Sequence, residues 1–595
     1  MSYMDLLIAQ LPEPFNFYRS VLESDHLHFG VWPEDRPDLT LEEAQEVMFN
    51  SLLDYFPDPP ASVLDVGCGL GLSGCYLEEK GYHVTAIAPS RELIDYASRK
   101  YGGRDIDFQV ADFLDNGGSA FTRKKYGIIL FQESLQYLNP LDMVFNKVRS
   151  LLEPGGAVII GDEICYDKSI RKETAAHLLK DITTALCENG FRITADKAIG
   201  NSVIKTCDNV ISRFTDHFDQ IVSSVEVEDV ANRLKFFLNG WKKQKEWYLT
   251  NRMGYHIMAA AKDDIFMRSY NRGDEDNILQ LFNQIFQKDR TNEHWCWKFK
   301  DNPFGNLKIA EAVTKEGDLT GQYCGYPVPF YSSVGEFKEF SSFQIGDTMT
   351  SLKARRSGFG KTGVLSRVTT YFYNKFCIDN VPFIYGFNTG KIRKLGERYL
   401  QYEYTSTVPY HVIDLRQKKI RAQSVVKRLL SGFAVEQVSE MTDEYDIFFE
   451  RVCDDYGMLV KKTSLYLKWR YLDCPDTVHK MFAVRRFGKL VGWSVFSAID
   501  GLLLWGDALF EKKYPAAVGF MLNYLVRHLF KGITRIEGWF APVPVWWTQI
   551  LQDMGFEAVD EPNALAPTFK IFDSQFSTDF FESNFYYTMG DSDLF

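Results

Sequence analysis

Ten cysteines are spread through the 595 residues without a single C-x-x-C pair. That absence argues against a zinc ribbon and against a disulfide framework. Reduced thiols in a cytoplasmic protein fit instead. Histidine is scarce, and His26-x-His28 is the one close pair; two imidazoles without a third nearby ligand do not make a metal site. No apolar run approaches about 18 residues, so no membrane span is indicated. The first twenty residues lack a basic stretch followed by an apolar core, which argues against a secretory leader. An excess of positive charge is missing as well. The net charge of −12 argues against a broad electrostatic footprint for nucleic acid or anionic membrane, and leaves a small molecule as the expected partner.

The remaining composition is that of a globular protein, with 45% hydrophobic and 25% charged residues. The length is too great for one core, and roughly three or four domains are expected. From residue 61 to 163 apolar strands alternate with amphipathic helices, as a doubly wound α/β sheet requires. The expected strands are Ser62–Val66, His83–Ala88, Ile106–Ala111, Gly127–Gln132 and Ala157–Gly161, with a later one over Gly254–Ala261. Residues 165–250 read as a helical cap, and Thr40 to Glu43 carries a capping-box signature at a helix start.

The first strand runs into Asp65-Val66-Gly67-Cys68-Gly69-Leu70-Gly71. Alternating glycines there permit a tight turn and close approach of a ligand to the backbone; the same pattern also suits a turn that binds nothing. The spacing is wrong for a dinucleotide fingerprint, because the sixth position from Gly67 is Leu72. This G-x-G-x-G after an Asp-ended strand resembles the first motif of the class I S-adenosylmethionine (SAM)-dependent methyltransferases. The resemblance spans about residues 1–264. It implies a Rossmann-like sheet and SAM as cofactor, with Asp65, Gly67, Gly69 and Gly71 beneath the methionine end. Asp112 then sits where the family accepts from the adenine amino group, with Phe113 beside the ring. Gln132 and Glu133 fall in the segment flanking the methyl-transfer site. The family's ribose-binding acid is replaced by Ala88, which leaves Ser90 or Glu92 as substitutes. Upstream, Tyr18 is the lid aromatic expected over the cofactor. His26, His28 and Glu133 are the candidate bases, should the acceptor need to lose a proton.

After residue 265 the chain repeats itself. Trp297-Lys298-Phe299-Lys300-Asp301-Asn302-Pro303 recurs as Trp469-Arg470-Tyr471-Leu472-Asp473-Cys474-Pro475, each followed by strand, glycine turn and strand, with further strands ending at Asp347 and Asp507. Two homologous α/β modules follow, at 265–440 and 441–595. The first alone carries a phosphate-binding signature, Arg355-Arg356-Ser357-Gly358-Phe359-Gly360-Lys361-Thr362-Gly363 ahead of a helix, where converging amides and the helix dipole favour a pyrophosphate. This stretch resembles the acyl-CoA loop of the GNAT N-acyltransferases. The resemblance implies acetyl-CoA or another acyl-CoA, bound by Arg355, Ser357, Gly358, Phe359, Gly360, Lys361 and Thr362. Tyr385 is the catalytic candidate there, beside Asp347 and Tyr399. In the second copy Pro515 removes an amide donor and the glycines are lost, so that copy is expected to complete an acceptor groove.

The expectation is a bifunctional transferase that methylates and acylates a small molecule, such as an amino sugar or a natural-product intermediate. Two alternatives stay open: a methyltransferase whose GNAT-like half only binds substrate, and a non-enzymatic SAM-sensing or scaffold protein.

Overall fold

The computed structural model describes residues 11–22, 24–115, 118–219, 230–356, 360, 362–418, 420, 432–476 and 478–595. The chain divides into two compact units, Met1–Met267 and Arg268–Phe595.

The first unit is built on one seven-stranded sheet. Its strands are β1 (Ser62–Val66), β2 (His83–Ala88), β3 (Ile106–Val110), β4 (Tyr126–Gln132), β5 (Leu152–Cys165), β6 (Phe191–Ala198) and β7 (Met253–Lys262). They lie in the order β3-β2-β1-β4-β5-β7-β6, with β7 antiparallel to both neighbours and the other pairings parallel. Alternation along each strand feeds two cores. Val63, Val84, Ile128 and Ile159 bury on one face, and Leu64, Val66, Ile129 and Ile160 on the other. A sheet covered on both faces explains why the strands read as nearly continuous apolar runs.

The helices are α1 (Phe15–Leu22), α2 (Leu41–Leu53), α3 (Leu72–Glu79), α4 (Arg91–Tyr101), α5 (Leu141–Leu151), α6 (Leu179–Glu188), α7 (Gly200–Asp216) and α8 (Val230–Leu249). The capping box is present: Glu43 N donates to Thr40 Oγ1 at 3.2 Å and Thr40 N to Glu43 Oε2 at 2.8 Å. The region 165–250 is not purely helical, because β6 lies within it. Half-exposed and polar on its outer face, that edge strand presents few of the apolar residues by which strands are recognised.

The second unit holds two mixed sheets. Its strands are β8 (Ile265–Ser269), β9 (Lys308–Thr314), β10 (Leu319–Ser332), β11 (Glu339–Thr350), β12 (Phe383–Asn388), β13 (Glu403–Tyr404), β14 (Pro409–Asp414), β15 (Phe433–Val438), β16 (Met458–Val460), β17 (Lys480–Arg486), β18 (Lys489–Ile499), β19 (Leu502–Phe510), β20 (Arg535–Trp539), β21 (Glu557–Asp560) and β22 (Ala566–Ile571). One sheet runs β13-β22-β12-β11-β10-β9-β8, with β16 also on β10; the other runs β15-β17-β18-β19-β20-β14-β21. Each contains one parallel pair that soon parts, β11 with β12 over two residue pairs and β19 with β20 over three. The repeats are therefore alike in topology, and they exchange strands. β14 of the first half pairs with β20 and β21, while β22 of the second half pairs with β12 and β13. Neither 265–440 nor 441–595 completes a sheet alone.

The repeated tryptophans meet face to face. Trp297 and Trp469 stack with centroids 5.4 Å apart, and each Nε1–H donates to the other's carbonyl oxygen, at 2.7 and 3.0 Å. β11 and β19 continue three residues past Asp347 and Asp507, where strand ends were expected. Both acids are held by buried lysines that the C-terminal residues help neutralise. Lys298 Nζ lies 3.2 Å from Asp347 and 2.8 Å from Asp593; Lys462 Nζ lies 2.5 Å from Asp507 and 3.0 Å from Asp591. That arrangement gives Asp591 and Asp593 a structural role.

Candidate active site

The turn after β1 is left-handed at all three glycines, with φ of 77° at Gly67, 55° at Gly69 and 88° at Gly71. An L side chain adopts that region only with strain. The space is closed too: a Cβ on Gly67 would lie 2.6 Å from Ser134 Cβ, and one on Gly71 2.7 Å from Ala97 Cβ. The amides of Gly67 and Cys68 donate to the Ile87 carbonyl at 2.8 and 3.1 Å, so the loop hangs from the end of β2. Asp65 is buried and accepts a 2.6 Å bond from Ser73 Oγ. Burial raises its carboxyl pKa to about 6.

These residues edge a cavity of about 1540 Å³ at the C-terminal ends of β1, β2 and β4, where ligands meet such a sheet. Tyr18, His26, His28, Ala88, Ser90, Asp112, Phe113, Gln132 and Glu133 line it as well. Ser90 caps α4, accepting from Leu93 N at 3.3 Å and donating to Glu92 Oε2 at 2.8 Å. A hydroxyl has two lone pairs, so Ser90 keeps one for a ligand. Asp112 Oδ1 accepts from Leu114 N at 2.8 Å. Phe113 is buried, its ring 6.2 Å from Phe121 and 5.6 Å from Phe131. Gln132 Nε2 is buried with no hydrogen-bond partner among the described residues, a donor awaiting an acceptor. Tyr18 packs edge-on to Phe237, Phe214 and Trp241 at 5.3, 6.1 and 6.3 Å.

The lid is pinned by a buried acid. Asp25 accepts from Tyr96 and Tyr101 hydroxyls at 2.9 and 2.5 Å and pairs with Arg19 and Lys100 at 3.0 and 2.5 Å. Next to it, His28 Nδ1 lies 2.9 Å from the Phe29 carbonyl and His28 Nε2 lies 3.2 Å from His26 Nδ1. A carbonyl can only accept, so His28 Nδ1 carries the proton and His28 Nε2 accepts from His26. Both nitrogens of His28 are thereby committed, which removes it as a base; the free lone pair belongs to His26 Nε2. Burial lowers the two pKa values to about 4 at His26 and about 3 at His28.

Beyond Gln132 the chain folds sharply. Glu133 has φ of 53°, a left-handed conformation that costs free energy in a non-glycine residue. The turn is held by Glu133 N donating to Gly161 O at 2.7 Å and Ser134 Oγ to Val66 O at 2.5 Å. Two further acids stand at the end of β5. Asp162 accepts from the amides of Gln136 and Glu163 at 3.2 and 2.8 Å. Glu163 accepts from Gln244 Nε2 at 2.6 Å and Tyr248 OH at 2.9 Å. Burial first, and mutual repulsion second, push Glu133 well above the usual carboxylate range and Asp162 to about 8. Burial alone takes Glu163 up to about 7. Glu163 escaped the sequence reading because β5 was expected to stop at Gly161, and nothing local marks the residue.

Residues 64–160 match the family model described as a methyltransferase domain. The match lies within the first unit and spans β1 to β5 up to Ile160. Methyltransferase GfsG of Streptomyces halstedii is 28% identical over 172 residues, which are 28% of this chain and 58% of that protein. Phosphoethanolamine N-methyltransferase 1 of Zea mays is 23% identical over 224 residues, covering 34% and 42%. Ubiquinone biosynthesis O-methyltransferase of Xylella fastidiosa is 31% identical over 134 residues, covering 22% and 53%. The chain thus spans about half the length of these relatives. The cyclopropane synthase MmaA2 from Mycobacterium tuberculosis superposes with a TM-score of 0.38 at 14% identity, over 44% of this chain and 99% of that one.

The matched residues end well before the second candidate cradle. There, a cavity of about 720 Å³ opens between the parted strands β11 and β12 and reaches the start of the helix α9 (Val364–Phe372). Gly360 has φ of 91°, and its carbonyl accepts from Gly363 N at 3.1 Å and Ser366 Oγ at 2.8 Å. Arg355 donates from Nε to Thr350 Oγ1 at 3.3 Å, and Thr362 is exposed. Ser357, Gly358, Phe359 and Lys361 lie outside the described residues. Tyr385 lines the cavity, but it is buried and its hydroxyl donates to Gln344 Oε1 at 3.2 Å. Burial keeps the phenol pKa well above 10, so Tyr385 is unfit as a base. Asp347 is ion-paired to both Lys298 and Arg290, which overcome its burial and hold its pKa below the usual value; it is a poor base for the same reason. In the second copy the ring of Phe595 packs against Gly506 of β19, 1.9 Å from where a Cβ would stand, and against Tyr471 and His479.

Proposed function

We propose that the chain is a small-molecule methyltransferase that uses SAM, and that its second unit takes an acyl-CoA. The single observation carrying the first part is the glycine turn, closed to a side chain at Gly67 and Gly71, beside a cavity holding an unpartnered buried amide and three raised carboxyls. Gly67, Gly69 and Gly71 would face the methionine end of SAM, Ser90 the ribose, and Asp112 Oδ2 the adenine amino group. When bound, SAM supplies an electrophilic methyl on sulfur. Displacement at such a methyl needs alignment and exclusion of water above all, which the aromatic lid around Tyr18 provides. Glu133 would take the acceptor's proton, since a carboxylate with a raised pKa is the stronger base; His26 Nε2 is the second candidate.

Two α/β repeats with one parting parallel pair each support the GNAT-like reading, as does the apolar cavity behind Gly360. Loss of Tyr385 and Asp347 as bases leaves Tyr399 as the remaining candidate on the cavity wall and favours the version in which this half binds without turnover. The ten unpaired cysteines support a reducing compartment such as the cytoplasm, and no helix among the described residues is long and apolar enough to cross a membrane. Calorimetric titration of the full chain tests both parts. S-adenosylhomocysteine and acetyl-CoA are each expected to bind at one site. A flat S-adenosylhomocysteine titration refutes the methyl-transfer reading, and a flat acetyl-CoA titration refutes the acyl-CoA reading.

A further inference from the structure

Glu133 and Glu163 present themselves to the methyltransferase cavity in the same way. Each is anchored through one oxygen only. Phe29 N and Tyr255 OH reach Glu133 Oε1 at 2.7 and 3.0 Å, as Gln244 and Tyr248 reach Glu163 Oε1. Oε2 of each has no hydrogen-bond partner among the described residues, and neither oxygen is sealed from solvent, although Glu163 is only 7% exposed. Both side chains line the cavity, so the free oxygens open on it. The basic groups on the same lining are already taken: Lys243 pairs with Glu173, and Arg233 with Glu13 at 3.0 Å.

Aromatic rings stand around the two acids. Phe29 lies 5.5 Å from Trp241, 5.9 Å from Tyr248 and 5.9 Å from Tyr255. Ring faces attract cations, and an unpaired buried carboxylate is costly until a counter-charge arrives. A neutral or anionic acceptor would leave both costs in place. An ammonium group removes them together.

We propose that the methyl acceptor is an amine bound as its ammonium by Glu133 and Glu163 against the rings of Phe29 and Trp241. Glu133 would take one N–H proton, and the freed nitrogen lone pair would then form the N–C bond as the methyl's bond to sulfur breaks, with S-adenosylhomocysteine as the leaving group. This assignment rests on the methyl-transfer reading above. The raised pKa values of both acids fit it, since they express the missing counter-charge.

The test compares choline with its uncharged isostere 3,3-dimethyl-1-butanol, titrated into the full chain saturated with S-adenosylhomocysteine. Choline is expected to bind at least tenfold tighter than the isostere. Glu163→Gln and, separately, Trp241→Leu are expected to lose most of that difference while S-adenosylhomocysteine binds as in the wild type, which certifies the fold. Equal binding of the two probes overturns the ammonium site, as does no binding of choline, or a preference unchanged in both variants. Those results leave the methyl-transfer reading standing, because it fails separately on the S-adenosylhomocysteine titration.

Discussion

Replacing Gly67 by alanine separates two costs that the glycine turn combines. At φ of 77° the new side chain strains the backbone by about 1–2 kcal/mol. Its Cβ would then meet Ser134 Cβ at 2.6 Å, and overpacking of that kind adds about 1–3 kcal/mol. Ser134 cannot retreat freely, since its Oγ donates to the Val66 carbonyl at 2.5 Å. The total is about 2–5 kcal/mol, a large share of a typical domain's stability. Gly155 supplies the control. It has φ of 80° with nothing within 4 Å of its Cβ position, so Gly155→Ala carries the strain alone, about 1–2 kcal/mol. Hydrogen exchange of β1 and β2 amides reports the opening of this sheet without interference from the second unit. Gly67→Ala is expected to lower protection more than Gly155→Ala and to weaken S-adenosylhomocysteine at least tenfold. Equal protection in the two variants, with unchanged binding, would refute the claim that the turn is closed by Ser134.

Two further outcomes follow from buried charge. Glu163 titrates at about 7 in the fold against an ordinary 4.5, so its stabilising protonated form is complete below about pH 4.5 and is lost as pH rises through 7. Glu163→Gln, which keeps the acceptor for Gln244 and Tyr248, should match the wild type at pH 5 and exceed it by about 2–3 kcal/mol at pH 8; a gain at pH 5 as large as at pH 8 would contradict the assignment. Lys462, fully buried between Asp507 and Asp591, leaves two unpaired carboxylates when changed to methionine, and the second unit should lose about 3–5 kcal/mol in urea unfolding. A loss below about 1 kcal/mol would show that the tail acids carry little of its stability.

The readable part of the molecule was local. Ser62–Val66 announced itself because a strand covered on both faces is largely apolar, and the following turn because its left-handed positions, Gly67, Gly69 and Gly71, favour glycine. Thr40 and Glu43 cap a helix within four residues of each other. β6 stayed hidden, since Phe191–Ala198 is an edge strand with a wet face. Of the proposed bases, His28 failed on a tautomer and Tyr385 on burial, and neither property is written at its own position. The tryptophan repeat revealed two modules, while the exchange of β14 and β22 between their sheets left no trace in either segment.

Sequence by itself determined where β1 to β5 and β7 lie, which turn calls for glycine, and that a tryptophan motif recurs in the second half. Backbone conformation and periodic burial are imposed over a few neighbouring residues, so they survive in the linear order. Tertiary structure decided which carboxylates meet. Glu133, Asp162 and Glu163 gain their raised pKa values from burial, reinforced at the first two by neighbouring carboxylates, while Phe29, Tyr255 and Tyr248, up to about 120 residues away along the chain, hydrogen-bond Glu133 and Glu163 and offset part of the rise. Electrostatic character depends on what surrounds a charge in space, and that surrounding exists only once the sheet and its lid have closed.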